Sequence, residues 1–149
     1  MKTSTRSKPA AATGSTLRAV QLPPIGKAWP GEGGVFAGLL KGKDSDYAVI
    51  VPLDPASDVD PAPWKYAIAA AGKFKTAEHQ DYSAATRGEL ALCFYNLPQL
   101  FKKAWYWSST PYAGLASYAW YQCFSLGSQY DTRKDYMLRA RAVRRLPIQ

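Results

Sequence analysis

The strongest constraint on the fold of this chain is a helix signal that precedes a series of aromatic, strand-like segments. Thr86 and Glu89 have the spacing of a capping box, in which the threonine hydroxyl accepts a hydrogen bond from the glutamate amide and the glutamate carboxylate accepts one from the threonine amide. Apolar residues then recur at helical spacing and predict a buried stripe of Leu90, Cys93, Phe94 and Leu97. Pro98 is expected to interrupt or restart this helix, whose furthest extent is Lys103.

Strand-like segments lie on both sides of the helix. Residues 35–40 and 47–51 flank a polar loop and predict a β-hairpin. Further strands are predicted at residues 105–109, 119–124 and 136–145. In the last of these, Arg139 and Arg141 alternate with alanines, which places arginines on one face of the strand and small residues on the other. The chain is therefore predicted to have an α+β fold with antiparallel strands, one or two helices and long loops.

The segments between the hairpin and the helix carry weaker signals. Residues 52–63 contain four prolines and three aspartates, which predicts an irregular surface loop. Residues 64–71 contain alanines that favour a helix, but their pattern leaves the assignment open. Residues 72–82 are polar and predict a loop.

The composition is that of one globular domain and excludes several classes of protein. Of the 149 residues, 47% are hydrophobic and 13% aromatic, which excludes a disordered polyelectrolyte. No apolar stretch approaches the roughly 18 residues that a membrane-spanning helix needs, so no membrane insertion is expected. Cys93 and Cys123 each lie in an apolar run, and we expect both to be reduced and buried.

Basic residues are concentrated at the two ends of the sequence. Residues 1–21 are rich in Ser, Thr and Ala and contain no acid, so they are predicted to form a flexible basic arm. Its charged residues are Lys2, Arg6, Lys8 and Arg18. The arm lacks the apolar centre of a signal peptide, so folding in a bacterial cytoplasm is not excluded by any export signal and is the expectation here. Residues 22–149 are predicted to form a single domain.

A second basic cluster lies near the other end and is opposed only by Asp135. It consists of Arg133, Lys134, Arg139, Arg141, Arg144 and Arg145. A basic cluster of this kind suits a nucleic acid or another acidic partner. We favour the simpler interpretation that it is a solvated strand face followed by a tail.

An ordered set of short motifs runs from Thr86 to Arg145. The motifs are Thr-Arg-x-Glu-Leu, Trp-Tyr-Trp-Ser-Ser-Thr, Ala-Trp, a Phe followed by a Gly, and Arg-Ala-Val-Arg. The matching residues are Thr86, Arg87, Glu89, Leu90, residues 105–110, Ala119, Trp120, Phe124, Gly127 and residues 141–145. In this order they resemble a prophage-borne domain of unknown function, also described as the C-terminal domain of a collagen-like bacterial surface protein. Ala84 and Ala85 depart from the Leu-Pro that the family usually has before Thr-Arg.

The resemblance implies a fold and a role. The family has a C-type-lectin-like fold, in which the terminal strands frame a long excursion, and it is related to the variable proteins of diversity-generating retroelements. It therefore implies a lectin-like α+β domain with an adhesive or virion-associated role. In the retroelement relatives the diversified positions fall in the C-terminal stretch, which here corresponds to residues 111–136.

Residues 111–136 also have the composition of a recognition surface. Tyrosine gives a large amphipathic contact area at low entropic cost, and serine adapts by hydrogen bonding. The candidate ligand-binding residues are Tyr112, Ser117, Tyr118, Tyr121, Ser128, Gln129, Tyr130, Arg133 and Tyr136. By contrast, Trp107, Trp120 and Phe124 are expected in the core, because bulky aromatic residues in strands bury well.

Catalysis and cofactor binding have little support. The single histidine, His79, has no second ligand type nearby, and the acidic residues are scattered over predicted loops. The chain also lacks a cluster of oxygen ligands in sequence and a complete phosphate-binding loop. We therefore expect no enzyme activity, no metal and no cofactor.

Three functions follow from these observations. The first is a non-enzymatic binding module of a bacteriophage or prophage virion, of the tail-fibre or tail-tip type. It would recognise a host-surface protein or glycan, bind other virion proteins through its arm and be present in multiple copies. The second is a structural decoration or tail-assembly protein docked by the same arm. The third, nucleic-acid binding, rests on the net charge of +8 with interleaved aromatic residues.

Overall fold

The computed structural model describes residues 21–148, in which a mixed sheet has one α-helix packed on each face. Within this range there are nine strands: β1 (Ala28–Trp29), β2 (Gly34–Leu40), β3 (Asp46–Val51), β4 (Asp58–Ala62), β5 (Ser83–Ala84), β6 (Trp105–Pro111), β7 (Tyr118–Cys123), β8 (Gln129–Arg133) and β9 (Leu138–Ile148). The helices are α1 (Trp64–Gly72) and α2 (Arg87–Asn96). The α+β class is confirmed. The predicted basic arm lies outside the described residues, except for Gln21.

Strand β9 is the centre of the sheet. The strand order is β1-β2-β3-β9-β6-β7-β8, and β9 also pairs with β4 and β5 at other points along its length. One pairing, between Tyr106 of β6 and Arg139 of β9, is parallel. The prediction of purely antiparallel strands is therefore wrong at this pair. The chain crosses from β8 to β9 through residues 134–137, so that β9 begins beside β6 and runs in the same direction.

Alternation along β9 divides the core into two layers. Val143 packs with Leu90, Cys93 and Leu97 of the α2 side, and all four are fully buried. Ala140 and Ala142 point to the other side and pack with Ala67 and Ala71 of α1. The small residues of β9 and α1 allow the helix and the strand to approach closely.

The local signals predict their elements well. The hairpin is present as β2 and β3, with Leu39 opposite Ala48 and Leu40 opposite Tyr47. Both hydrogen bonds of the capping box form at Thr86 and Glu89. Helix α2 ends before Leu97, and a separate 3-10 turn occupies Pro98–Leu100. The interruption at Pro98 is confirmed, but the turn ends before Lys103.

Two longer strands, β4 and β8, escaped prediction, as did the two-residue strands β1 and β5. Residues 52–63 contain β4, which pairs with β9, and a 3-10 turn at Pro55–Ser57, so the irregular loop expected there is wrong. Pro61 lies where the β4–β9 register shifts, between Val59 and Ala62. Proline has no amide hydrogen to donate, and an irregularity of this kind is where a strand tolerates it. Strand β8 is the second, and its polar sequence carries no alternation of apolar residues.

The expectation of a solvated arginine face on β9 is also wrong. Arg141 and Arg144 are only 4% and 6% exposed, because both faces of β9 are covered. Arg144 donates from Nε to Asp81 Oδ1 at 2.6 Å, and Arg145 donates from Nε to Glu89 Oε2 at 2.7 Å. The carboxylates that stabilise these arginines come from distant parts of the chain, so no local pattern revealed them.

None of the helices in the described range is both long and apolar enough to cross a membrane.

Candidate functional site

A surface pocket at the ends of β7 and β8 contains three of the predicted recognition residues. Ser117, Tyr118 and Arg133 line it together with Lys134 and Asp135, and the cavity has a volume of about 480 Å³. We call it the loop-end pocket. It forms because Tyr118 and Arg133 are opposite each other in the β7–β8 ladder, which puts both side chains on one face of the sheet.

Hydrogen bonds hold the backbone around this pocket. The Tyr112 amide donates to the Tyr118 carbonyl at 3.1 Å, and the Lys134 amide donates to the Ser117 carbonyl at 2.8 Å. The Lys134 ammonium group donates to the Ala116 carbonyl at 2.8 Å and lies 4.3 Å from the ring centroid of Trp64. The loop is thus tied to the start of α1, so its exposed side chains are presented on a fixed support.

The charges at the pocket are paired at its rim. Arg133 donates to Asp135 at 2.5 Å, and both side chains are more than half exposed. The hydrogen bond from Arg133 to Asp135 and the negative charge of that carboxylate raise the pKa of the guanidinium above its usual value. Arg133 is therefore a charged residue at the rim of the pocket that is paired with Asp135.

A row of aromatic rings crosses the opposite face of the same strands. The rings of Trp105 and Tyr121 are stacked with centroids 4.8 Å apart, and Tyr130 lies 6.4 Å beyond Tyr121. We call these three residues the aromatic row. Trp105 is 47% exposed and Tyr130 is 59% exposed, whereas Tyr121 is only 8% exposed. Burial raises the pKa of Tyr121. Tyr121 therefore packs between the two exposed rings and is itself buried. This burial corrects the prediction that Tyr121 contacts a ligand.

Gln129 is used inside the protein. Its amide nitrogen donates to the Arg87 carbonyl and to Gln122 Oε1, both at 2.8 Å, and its amide oxygen accepts from Arg87 Nε at 2.9 Å. Both amide hydrogens thus have partners within the fold. Gln129 fixes β8 to the start of α2 instead of facing a ligand as predicted.

The remaining predicted residues are at the edges of these surfaces. Tyr136, in the turn before β9, is half exposed, and Ser128 is half-buried with its carbonyl accepting from the Cys123 amide. Tyr112 packs edge-on against Trp120, with centroids 5.4 Å apart. Trp120 is itself only half-buried, beneath the guanidinium of Arg87, so its placement in the core is wrong. Trp107 and Phe124 are buried as predicted.

Sequence reasoning missed Trp105, Trp64, Lys134 and Asp135 as parts of this surface. Trp105 carried a usable signal, since it is two residues before the buried Trp107 and shares its face of β6. Its exposure arises because it lies at the start of the strand, beyond the reach of α1. Lys134 and Asp135 lie in the segment that follows β8, and Trp64 joins them through its contact with Lys134. No local sequence pattern predicts this arrangement.

Nothing in the described range forms a recognisable catalytic or metal centre. No group of three potential metal ligands comes together within residues 21–148. His79 is occupied by a contact of 2.8 Å between its Nε2 and the Gly31 carbonyl. Glu89 and Asp58, the carboxylates nearest the core, are both engaged by arginine and tyrosine side chains.

The two cysteines are expected to be unreactive in the folded protein. Cys93 is fully buried and Cys123 is 6% exposed. Burial raises the pKa of the Cys93 thiol to about 12, against a smaller lowering by the charge of Arg141. A thiol reagent at pH 8 should label neither residue in the native protein and both after unfolding in urea. Labelling of the native protein at the rate of the unfolded chain would contradict this burial.

Comparison with models of known protein families gives no match, and a search of curated proteins finds none that is similar in sequence.

Proposed function

We propose that this chain is a non-enzymatic binding module of a bacteriophage or prophage particle, with a C-type-lectin-like fold. It would recognise a host-surface protein or glycan through the loop-end pocket and the aromatic row. Other virion proteins would hold it through the basic arm, and several copies on one particle would raise its avidity. The observation that carries this proposal is the exposure of aromatic and hydroxyl side chains on a hydrogen-bonded three-stranded support.

The topology supports the lectin-like part of the proposal. Strand β3, near the start of the described range, pairs with β9 at its end, and the segments between them form the rest of the fold. The resemblance of residues 86–145 implies this arrangement of terminal strands around a long excursion. A rigid sheet with connecting loops at one end is a common support for binding residues.

The exposed side chains support recognition. More than two fifths of the surface of Tyr130 and of Trp105 is exposed to solvent. Large aromatic side chains are on average more buried than this. Tyrosine and tryptophan are the residues that contribute most at binding interfaces. Exposed aromatic rings can stack on the apolar face of a sugar ring or pack against an apolar patch on a protein.

The charges argue against nucleic acid as the partner. Four of the six basic residues near the C-terminal end, Arg139, Arg141, Arg144 and Arg145, point into the fold and donate to protein acceptors. Arginines that donate to acceptors inside the fold are not free to neutralise the phosphates of a nucleic acid. The concentration of charge in residues 1–21 instead favours the second candidate function, a structural protein docked to the particle through this arm.

Replacing both Tyr118 and Tyr130 with alanine should abolish recognition with little change in stability. Tyr130 is 59% exposed and Tyr118 half-buried, so truncation removes more contact area from a ligand than from the core. Each tyrosine contributes about 1–2 kcal/mol at its own surface, which corresponds to a loss of roughly tenfold in affinity there, and replacing both disables the loop-end pocket and the aromatic row together. Binding of fluorescently labelled protein to intact bacterial cells, measured by flow cytometry across a strain panel, provides the test.

Tyr95→Ala is the matched control, because Tyr95 is 82% exposed and belongs to α2. It should bind cells like the unchanged protein, and all three proteins should melt within a few degrees of one another. Cell binding that survives in the double variant would overturn the proposed recognition surface. Absence of cell binding by the unchanged protein, together with its retention on purified particles, would favour the structural role.

A further inference from the structure

A groove on another part of the molecule has the properties of a binding site for a negatively charged group. It lies between the 3-10 turn at Pro55–Ser57 and the segment after α2, and its cavity has a volume of about 460 Å³. We call it the charged groove. The residues of its lining that matter here are Leu53, Asp58, Gln99, Lys102, Arg139 and Arg141. None of them belongs to the loop-end pocket or the aromatic row.

Arg141 is a buried cation without a carboxylate partner. It is 4% exposed and donates only to neutral acceptors, among them Ser57 Oγ at 3.1 Å and the Pro52 carbonyl at 2.8 Å. Its guanidinium lies 4.7 Å from the ring centroid of Phe101. A buried arginine is ordinarily paired with an acid, because a charge removed from water needs compensation.

The nearest carboxylate is already used. Asp58 accepts from Arg139 Nε at 2.8 Å with one oxygen and from the Tyr106 hydroxyl at 2.7 Å with the other. Asp60, the second acid of the groove, makes one longer contact with Arg139 at 3.3 Å and is otherwise 95% exposed. Within the described residues, Arg141 therefore has no carboxylate within ion-pair distance.

Lys102 adds a second unpaired cation at the mouth of the groove. Its backbone amide donates to the Tyr106 hydroxyl at 3.0 Å, which fixes the position of the residue, and its ammonium group forms no ion pair among residues 21–148. The groove then holds three cations, Lys102, Arg139 and Arg141, against Asp58 and Asp60. The charged side chains that line the groove therefore carry a net charge of +1, which attracts a single negative charge.

We propose that the charged groove binds a carboxylate carried by a sugar, such as a uronic acid residue of a bacterial surface polysaccharide. A carboxylate is favoured over phosphate because it supplies the single missing charge, whereas a dianion would be repelled by the two aspartates. The free oxygen of Asp60 and the amide of Gln99 can pair with hydroxyl groups, and the exposed Leu53 provides an apolar wall. This inference rests on the proposed function, since it names the class of glycan.

Titration of the full chain with sodium glucuronate, followed by NMR, tests this directly. Glucuronate should shift the backbone amides of Gln99 and Lys102, and glucose at the same concentration should leave them unchanged. Lys102→Gln should weaken glucuronate binding about tenfold, because a charge-assisted hydrogen bond is lost. Lys103→Gln is the matched control, since Lys103 has the same charge, is the next residue and lies outside the groove, and it should bind as the unchanged protein does.

Three results would overturn the proposal: no shift with glucuronate, equal shifts with glucose, or tighter binding of inorganic phosphate than of glucuronate. Arg141 is left unchanged in these variants, because it also holds β9 to Pro52 and Ser57. The Tyr118→Ala/Tyr130→Ala protein should still bind glucuronate. Loss of cell binding in that variant and loss of glucuronate binding in Lys102→Gln are thus separate results, and either can fail alone.

Discussion

Replacing Glu89 with alanine is expected to lower the free energy of unfolding by about 3–5 kcal/mol, the cost of breaking a buried ion pair by removing one partner. The Glu89 carboxylate is fully buried and accepts from Arg145 Nη2, the Tyr47 hydroxyl and the Thr86 amide, at 2.7, 2.7 and 2.8 Å. The substitution removes the acceptor of four hydrogen bonds, two from Arg145 and one each from Tyr47 and Thr86, and removes half of the capping box of α2. Urea denaturation followed by circular dichroism measures the change.

Glu89→Gln separates the charge from the hydrogen bonds. Glutamine keeps the length of the side chain and one acceptor oxygen, so we expect a smaller loss than for alanine. The difference is assigned to the one hydrogen bond that this oxygen keeps, from the Thr86 amide at the Oε1 position or from the Tyr47 hydroxyl at the Oε2 position. Equal losses for the two variants would mean that the negative charge opposite Arg145 carries the whole effect. A loss below about 1 kcal/mol in the alanine variant, typical of an exposed pair, would contradict the buried network.

The same network makes stability depend on pH in the acid range. Burial alone would raise the pKa of Glu89, but Arg145, the Thr86 amide and the Tyr47 hydroxyl outweigh it and hold the pKa below its ordinary value. A carboxyl group with a lowered pKa in the folded state stabilises the protein above its unfolded pKa and loses that contribution as pH falls through the folded pKa. The Glu89→Gln protein should therefore lose less stability than the unchanged protein between neutral pH and the acid side of the ordinary glutamate pKa.

Trp107→Ala is the second substitution expected to have a large effect, at about 3–5 kcal/mol. Trp107 is fully buried against the α1 layer of the core, and its indole nitrogen donates to the Ala62 carbonyl at 3.0 Å. Truncation leaves a large cavity and an unpaired carbonyl at the end of β4. Thermal unfolding should show a melting temperature lower by at least ten degrees in a domain of this size.

Trp105→Ala is the matched control for this effect. It removes the same side chain from the same strand and the same face, two residues away, but at a position that is 47% exposed. We expect a loss of stability of about 1–2 kcal/mol, smaller than for Trp107, since about half of the side chain is exposed and no hydrogen bond among the described residues is broken. Similar losses for the two tryptophans would contradict the assignment of one to the core and the other to the aromatic row.

The parts of the fold that were predictable are those set by neighbouring residues. The capping box at Thr86, the stripe on α2 and the β2–β3 hairpin depend on hydrogen bonds and packing within about twenty residues. Strand β4 could not be predicted, because its ladder partner, β9, is far away in sequence. The prolines in and around it also predict a loop. The arginines of β9 were misread for the same reason, since the groups to which they donate, such as Pro52, Asp81 and Glu89, are distant in sequence.

The candidate surface was predicted by composition but not in its geometry. Tyrosine content pointed to residues 111–136 as the candidate region, where Tyr130 and Arg133 are exposed and Tyr118 is half-buried. Composition does not say which face of a strand a side chain occupies. The β7–β8 register puts Tyr118 and Arg133 on one face and Tyr121 and Tyr130 on the other, so what looked like a single surface is two. The charged groove could not be predicted from the sequence, because its cations and acids come from three separate segments.

The central place of β9 has a consequence for how the protein is made. Ile50 pairs with Arg144 and Asp58 pairs with Arg141, so strands that leave the ribosome early gain their neighbour only when translation has passed residue 144. Until then the outer edge of the nascent hairpin is an open template for pairing with another chain. The described region can therefore complete its fold only after β9 has been made, and we expect a chain that stops before β9 to aggregate instead of forming a shortened domain.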